Sequence, residues 1–327
     1  MDAGETEAEL IRARPEPSGL IVPALIADAG EGAARRFFQF FTANIENDNT
    51  RAAYAQAVAQ FLRWAEARGL TLQTIEPIAV AAYVKDLKTR LADPSVKQHL
   101  AAVRMLFDWL VTGQIVAINP AASVKGPKHV VKKGKTHVLA AEDARTLLDS
   151  IDTASVVGLR DRALIGVMVY SFARISAVVG MKVEDYYRNG KRWWLRLHEK
   201  GGKFHEVPAH HNAEAYLDAY LEAAGITGDG KGPLFRSAAG KTGTLTERAL
   251  RRNNALDMVK RRSIAAGLSK RICNHTFRAT GITAYLEAGG TIEKAQQIAA
   301  HESPKTTKLY DRTSDAISLD EIERILI

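Results

Sequence analysis

The sequence predicts a mainly α-helical protein with two domains, the first entirely helical and the second mixed α/β with a small three-stranded antiparallel sheet. Three observations support this fold class. Apolar residues recur at helical spacing through residues 33–118 and again beyond residue 138. Between residues 183 and 208 the spacing changes to that of short strands separated by glycine turns. The chain of 327 residues is also longer than one ordinary compact core requires, which favours two domains.

The first segment, residues 1–31, is predicted to be a flexible acidic tail. It contains Pro15, Pro17 and Pro23, several glycines, and seven acidic side chains against two basic ones. A segment of this composition buries too little apolar surface to offset the entropy lost on ordering. We therefore assign no fold to it.

Residues 32–118 are predicted to form the all-helical domain. One helix follows Thr50, a plausible N-cap, and the stretches PIAVAAYVKDLKTRL and SVKQHLAAVRMLFDWLVTG predict two more. Arg51, Lys97 and Arg104 lie on these helices. They are candidate nucleic-acid contacts, and an ordinary solvated helix face is the alternative interpretation.

The charge distribution indicates a polyanionic partner. The formal net charge is +8, and residues 1–31 contribute −5, which leaves +13 for the remainder. This balance is typical of nucleic-acid-binding proteins, with a merely basic soluble enzyme as the alternative. Residues 119–137, which contain two prolines and five lysines, predict a basic interdomain linker. We expect Lys132 and Lys133 to lie on a phosphate backbone, where each lysine strengthens binding by releasing counterions from the nucleic acid.

The second domain is predicted to span residues 138–315. Two helices, AAEDARTLLDSI and RDRALIGVMVYSFA, precede three strands, VEDYY, RWWLRLH and FHEVP, which are joined by an Asn-Gly hairpin turn and a Gly-Gly turn. Helices resume with NAEAYLDAYLEAA and with a basic helix over residues 246–266. The basic helix predicts a face for a nucleic-acid groove, or alternatively a solvated face, through Arg248, Arg251 and Arg252.

Several classes of protein are excluded by what the sequence lacks. No run approaches the roughly 18 apolar residues of a membrane span, and the N-terminus is acidic where a signal peptide would be basic. Cys273 is the only cysteine, which excludes an internal disulfide and a cysteine-rich zinc site. We therefore expect a cytoplasmic protein without membrane association.

Chemically active side chains are concentrated between residues 275 and 310. His275 and Arg278 are three residues apart, which places them on one face of a helix, and Tyr310 follows His301 by nine positions. Together they supply a nucleophile, two imidazoles and a guanidinium, with neither a carboxylate cluster for Mg²⁺ nor a glycine-rich nucleotide loop. This set is suited to attack on a phosphodiester without a metal ion.

At this point the sequence resembles the tyrosine recombinase or phage integrase family. HTFR resembles the family's His-x-x-Arg box, AAHESPKTTKLY its last histidine-to-tyrosine box, and YSFARISAVVGM the region of its first catalytic arginine. EKGGKFHEVP resembles the place of its catalytic lysine. The resemblance covers residues 33–327 and implies a SAM-like core-binding domain followed by a catalytic domain.

The resemblance also implies roles for individual residues. Arg174 and Arg278 would bind the non-bridging oxygens of the scissile phosphate, and Tyr310 would attack it to leave a 3′-phosphotyrosyl link. His275 and His301 would add hydrogen bonds, with His275 as the acid/base partner of the tyrosine.

A lysine would protonate the leaving 5′-oxygen. Lys200 fits the family's position best, and Lys203 is the alternative and otherwise a DNA contact. Because the phosphotyrosyl link keeps the energy of the broken bond, neither ATP, a metal nor any other cofactor is implied.

The chain departs from the family pattern at three places. Phe172-Ala173 stands where the family commonly has Gly-Leu, Ala177 where it has Glu, and Ala300 where it has Gly. These changes leave every catalytic functional group present. They affect packing or supporting contacts.

The family resemblance implies partners as well. We expect double-stranded DNA with an inverted-repeat core site and a homo-tetramer on two duplexes, and accessory proteins are compatible with this assembly. Residues 316–327 carry an apolar helical stripe, Leu319, Ile322 and Ile325, which either folds back or is exchanged between subunits. The function expected is site-specific recombination through a Holliday junction in integration, excision or resolution. The alternatives are a type IB topoisomerase and a non-catalytic DNA-binding regulator or architectural factor.

Overall fold

The computed structural model describes residues 22–129, 134–199, 204–240, 242–311 and 322–323. The chain divides into two compact units, residues 1–130 and 131–327. No helix among the described residues is long and apolar enough to cross a membrane.

All regular secondary structure in the described part of the first unit is helical. Its helices are α1 (Ala24–Ala27), α2 (Glu31–Ala43), α3 (Asp48–Glu66), α4 (Pro77–Lys88) and α5 (Asp93–Thr112). Proline in the first turn of α4 and α5 suits these starts, because proline has no N–H to leave unpaired there. The apolar faces of the helices meet in one core, in which Phe37, Phe41, Phe61 and Phe107 are almost fully buried.

The N-terminal boundary of this unit differs from the predicted tail of residues 1–31. Residues 22–31 are ordered into α1 and the start of α2, and Ile26 is fully buried in the core. The backbone N–H of Leu25 donates to Oε1 of Glu66 at 2.9 Å. The acidic and proline-rich composition of residues 1–31 made the short apolar sequence ALIA easy to overlook. This sequence forms a helix because its apolar side chains pack into the core with α2 and α3.

The start of α3 also lies earlier than predicted. Asn47, not Thr50, is the N-cap, because its Oδ1 accepts from the backbone N–H groups of Asn49 and Thr50 at 3.1 Å. Asparagine and threonine are both good caps, so the sequence offered two starts three residues apart.

Part of the predicted linker of residues 119–137 belongs to the core of the first unit. Ala121 is fully buried and Val124 nearly so. Arg104 on α5 donates from Nε to the carbonyl of Ala121 at 3.0 Å and from Nη2 to the carbonyl of Val124. Proline and glycine in this segment marked a bend in the chain, and they did not mark the end of the folded unit.

The second unit is built around a buried helix. Its helices are α6 (Ala141–Asp149), α7 (Val156–Tyr170), α8 (Ile175–Val179), α9 (His211–Ala224), α10 (Arg252–Ala265), α11 (Asn274–Glu287), α12 (Ile292–Ile298) and α13 (Pro304–Lys308). Helix α7 is apolar around most of its circumference and packs against α9 and α11. At Gly281 a Cβ would overlap the carbonyl oxygen of Val169, so glycine allows α11 to approach α7 closely.

The predicted three-stranded antiparallel sheet is confirmed. Strands β1 (Tyr186–Asn189), β2 (Arg192–His198) and β3 (Phe204–Pro208) pair in the order β1-β2-β3. Asn189 pairs with Arg192 across a two-residue turn in which Gly190 has φ of 61°. The first strand begins later than predicted because Val183–Asp185 form a 3₁₀ turn.

The basic helix predicted over residues 246–266 is wrong in its first part. Leu245–Ala249 form β5, which pairs with β4 (Arg236–Ala238), and the helix starts only at Arg252. The hydroxyls of Ser237 and Thr246 lie 2.7 Å apart across this hairpin. Arg248 is therefore on a strand, and Arg251 is the N-cap of α10.

Candidate active site

Helix α11 places His275 and Arg278 one turn apart. The helix begins behind Cys273, whose N–H donates to Oγ1 of Thr276 at 3.1 Å. Residues 276–283 of α11 are all buried, so the helix passes through the interior of the unit, and Arg278 is only 1% exposed. A charged side chain is kept at such depth only with hydrogen-bond partners or a ligand.

The hydroxyl of Tyr310 meets His275. Tyr310 follows the end of α13, is 7% exposed, and its hydroxyl lies 3.1 Å from Nε2 of His275. Thr283, two turns beyond His275 on α11, donates from its hydroxyl to the carbonyl of Tyr310 at 2.9 Å. One helix therefore holds the tyrosine by its hydroxyl and by its backbone. Thr283 carried no signal in the sequence, because its partner is 27 residues away in the chain.

The imidazole of His301 packs against the ring of Tyr310. The two rings are stacked, with centroids 5.7 Å apart and planes 8° apart. Nδ1 of His301 is 2.9 Å from Oγ1 of the fully buried Thr307, and the carbonyl of His301 accepts from Nε2 of Gln296 at 3.0 Å. The imidazole is thus fixed by packing and by its Nδ1 contact, which leaves Nε2 for another partner.

Arg278 connects the elements around the site. Its Nη2 donates to the carbonyl of Ala299 at 2.6 Å, and its Nη1 donates to the carbonyl of Phe172. Its Nε is buried and has no hydrogen-bond partner among the described residues. A buried donor without an acceptor is costly, so this nitrogen is suited to an anionic ligand.

The carbonyls that Arg278 binds flank two unusual backbone conformations. Phe172 has φ of 54° and Ala300 has φ of 47°, which is the left-handed region that favours glycine. These are two of the positions at which the sequence departs from the family pattern by lacking glycine. The left-handed backbone at both positions accounts for the glycines of the family pattern, since the chain must turn sharply before Arg174 and before His301.

Arg174 reaches the site from the N-cap of α8. Its Nη1 forms an ion pair with Oε2 of Glu199 at 2.5 Å, in which the arginine side chain is 38% exposed and the glutamate 8%. Glu199 directly follows β2 and was not predicted as a site residue. Lys200 and Lys203, the two candidates for the general acid, lie outside the described residues.

The electrostatics of the site keep both imidazoles neutral. Burial, followed by the charges of Arg278, Arg174 and His275, lowers the pKa of His301 to about 3. Burial and then Arg278 and Arg174 lower the pKa of His275 below its usual 6.5. Burial lowers the pKa of Arg278 to about 10, with Arg174 acting in the same direction. At neutral pH both histidines are therefore neutral, and Arg278 keeps its charge.

The predicted DNA contacts outside this cluster fall into three groups. Arg51 and Arg104 bind their own unit: Arg51 donates from Nη2 to the carbonyl of Ile45 at 2.7 Å and pairs with Asp48, and Arg104 holds the carbonyls described above. The exposed residues are Lys97, Arg248, Arg251 and Arg252. The remaining predicted contacts, Lys132, Lys133 and Lys203, lie outside the described residues.

Another basic residue of α10 is used in the interior of the second unit. Arg262 donates from Nε and Nη2 to Oδ2 of Asp161 at 3.0 and 2.8 Å, and Arg160 pairs with Oδ1 of the same carboxylate at 2.6 Å. Asp161 is 1% exposed. Helix α10 therefore turns part of its basic surface towards α7. Among the described residues, no group of three or more His, Cys, Asp or Glu side chains is placed to hold a metal ion.

Comparison with known sequences identifies both units. Residues 137–316 match the Phage integrase family, and residues 34–114 match the Phage integrase, N-terminal SAM-like domain. The first match alone covers more than half of the chain.

Curated relatives align over most of this chain. The tyrosine recombinase XerD of Corynebacterium glutamicum is 31% identical over 288 residues, which are 84% of this chain and 91% of that protein. The tyrosine recombinase XerC of Myxococcus xanthus is 28% identical over 285 residues, or 84% of this chain and 92% of that protein.

Solved structures share the fold. XerH site-specific recombinase bound to difH substrate, in a pre-cleavage complex, superimposes with a TM-score of 0.65 at 17% identity, covering 96% of this chain and 97% of that chain. A lambda integrase tetramer bound to a Holliday junction superimposes with a TM-score of 0.64 at 18% identity, covering 87% of this chain and 78% of that chain.

Proposed function

Because the chain belongs to the phage integrase family of tyrosine recombinases, we propose that it recombines duplex DNA at specific sites through a covalent link to Tyr310. The observation that carries this proposal is the contact between the Tyr310 hydroxyl and Nε2 of His275, beside Arg278 and His301. A protein that only bound DNA would need the arginines but would have no use for a tyrosine in this position.

In the cleavage step the tyrosine oxygen attacks the phosphorus of the scissile phosphodiester. The hydroxyl proton passes to Nε2 of His275, which is unprotonated at neutral pH because its pKa is lowered by burial and by the nearby arginines. The bond from phosphorus to the 5′-oxygen breaks as the bond to the tyrosine forms. The 5′-oxygen leaves as a hydroxyl after taking a proton from Lys200 or, alternatively, Lys203.

The negative charge of the transition state is neutralised by donors on the protein. Arg278 offers its unpartnered Nε, and Arg174 offers the nitrogens that its ion pair with Glu199 does not use. With the hydroxyl of Thr307 donating to Nδ1 of His301, Nε2 of that ring carries the proton and donates to a phosphate oxygen. None of these roles requires a metal ion or ATP.

Rejoining is the reverse reaction with a new 5′-hydroxyl as the nucleophile. It regenerates the tyrosine and returns the proton to it, so the number of phosphodiester bonds is conserved. The solved relatives include a recombinase on its DNA site and an integrase tetramer on a Holliday junction. By analogy, four protomers of this chain would exchange strands in pairs on two duplexes with inverted-repeat core sites, acting in the cytoplasm. Residues 316–327 would then dock on a neighbouring subunit, and accessory proteins would set direction.

A nicked suicide substrate tests the proposal. The labelled duplex would be recovered by in vitro selection on the purified protein, and a nick near its centre would let the cut end diffuse away and trap the covalent form. We expect a covalent band on a denaturing gel with the wild type and none with Tyr310→Phe. Tight binding on a native gel with no covalent band in the wild type would contradict the proposal and would indicate a non-catalytic DNA-binding factor.

A further inference from the structure

The partner of Arg174 comes from an unexpected element. The guanidinium pairs with Glu199 at 2.5 Å, and the glutamate side chain is only 8% exposed. A carboxylate this buried is costly to desolvate unless a cation pairs with it. The pair therefore fixes both side chains, and it engages only Nη1 of the five donors on the guanidinium.

Helix α8, whose N-cap is Arg174, has no acidic residue where the family commonly has Glu. That position is Ala177, which lies three residues after Arg174 and is 1% exposed. Arg174 is the N-cap of α8 and position 177 is its N3, and a glutamate at N3 reaches back towards the N-cap residue. A glutamate at position 177 would thus be close to Arg174, and in this chain the carboxylate is supplied from the end of β2 instead.

Glu199 also influences the second arginine. Burial and the charge of Arg174 lower the pKa of Arg278, whereas the charges of Tyr310 and Glu199 raise it. Two guanidiniums that are close together repel each other until a phosphate binds between them. The carboxylate of Glu199 offsets part of this repulsion in the free protein.

We propose that Glu199 is a positioning residue that replaces the missing acidic side chain at position 177 and orients Arg174 towards the scissile phosphate. This inference rests on the proposed function.

A purely structural ion pair is the competing explanation, and the same sheet provides a matched control. Arg196 and Glu206 form a cross-strand pair at 2.8 Å between β2 and β3, with side chains 36% and 42% exposed. Exposed pairs of this kind contribute little to stability. Removing Glu206 deletes an arginine-bound glutamate from the same sheet without touching the site.

The test compares Glu199→Ala, Glu199→Asp, Glu199→Gln and Glu206→Ala with the wild type. Cleavage of the suicide substrate is measured at saturating DNA, DNA affinity on native gels, and folding by thermal unfolding. We expect Glu199→Ala to cleave roughly tenfold to a hundredfold more slowly, since misplacing a catalytic group by about 1 Å has an effect of that size. DNA affinity should stay the same or increase, because a negative charge near the phosphate is removed. Glu206→Ala should cleave at the wild-type rate.

The two conservative variants separate charge from shape. If Glu199 acts by its charge, Asp should retain more cleavage activity than Gln, and Gln at or above Asp overturns the inference. The double variant Glu199→Ala with Ala177→Glu should recover most of the lost rate. A folded double variant as slow as Glu199→Ala would also overturn the inference, as would a Glu199→Ala variant with wild-type cleavage. If the wild type itself forms no covalent adduct, the proposed function fails and this inference falls with it.

Discussion

The Tyr310 hydroxyl can transfer its proton only while His275 is unprotonated. The pKa of His275 is lowered below 6.5 by burial and by Arg278 and Arg174, so the free protein keeps this nitrogen available in mildly acidic solution. Burial, followed by the charges of Arg278, Arg174 and His275, lowers the pKa of His301 to about 3. Of the two imidazoles at the site, His275 should therefore be the one whose protonation limits cleavage in mildly acidic solution.

We predict that the acid limb of cleavage has its midpoint below pH 6.5. The sign follows from the direction of the shift: a lowered pKa means that protonation, and with it loss of the base, occurs at lower pH. The rate constant should be measured at subsaturating DNA, because this condition reports groups of the free enzyme. His275→Gln should be slower and lack this limb. A midpoint at or above 6.5 in the wild type would count against His275 as the proton acceptor.

At the same scale, the sequence predicted the residues that the structure brings together, but it did not predict the side chains that hold them. His275, Arg278, His301 and Tyr310 were predicted because such polar and reactive groups stand out against an apolar background. Glu199 and the threonines Thr283 and Thr307 were missed because their roles depend on partners brought near only by folding. Arg51 was predicted as a DNA contact, and the structure shows it binding the carbonyl of Ile45.

At the scale of elements, the site depends on two sharp turns that carry no glycine. Phe172 and Ala300 adopt left-handed backbone conformations directly before α8 and after α12, and Arg278 binds a carbonyl at each turn. The left-handed conformation costs a residue with a Cβ about 1–2 kcal/mol. The turns are stabilised by the packing and hydrogen bonds around them, and they place Arg174 and His301.

We predict that Ala300→Gly increases the free energy of unfolding by about 0.5–1 kcal/mol. The gain is the relief of the left-handed conformation minus the larger chain entropy that glycine loses on folding. Ala299→Gly is the control without strain relief: its φ of −79° is ordinary, so the entropy cost and the loss of a buried methyl group should both make the variant less stable. Urea unfolding measures both changes. A less stable Ala300→Gly variant would show that this turn is not strained.

The elements that the sequence predicted correctly have strong local signals, and the others do not. Strands β1, β2 and β3 were found through alternating residues and glycine turns. The hairpin of β4 and β5 was missed because the helical spacing of RALRRNNALDMVKRR extends back before Arg252, where the helix actually starts. The pairing of β5 with Arg236–Ala238 joins segments that are separated in the sequence, so it left no local pattern. The short helix α1 was missed because its four residues are stabilised by tertiary packing alone.

At the scale of the whole molecule, the proposed recombination would require several copies of the chain to act together. The apolar stripe of Leu319, Ile322 and Ile325 lies in the C-terminal segment, and of this segment the structure describes only residues 322 and 323. Ile322 is 52% exposed within the single chain. An exposed apolar residue in a segment of this pattern is suited to docking on a second subunit.

We predict that deleting residues 316–327 leaves binding to a single DNA site largely intact and weakens synapsis of two sites. The physical reason is that the predicted DNA contacts lie elsewhere in the chain, whereas the proposed role of the apolar stripe is contact between subunits. Native gels with one-site and paired-site duplexes measure the two properties separately. Unchanged cooperativity on the paired site would show that this segment folds back on its own subunit.

The central claim is that one tyrosine, Tyr310, becomes covalently attached to DNA, and peptide mapping tests it most directly. The wild-type protein would be trapped on a nicked substrate labelled at the scissile phosphate, digested with trypsin, and the labelled peptide sequenced by mass spectrometry. The account predicts label on Leu309–Arg312, the tryptic peptide that contains Tyr310. Label on any other peptide would contradict it.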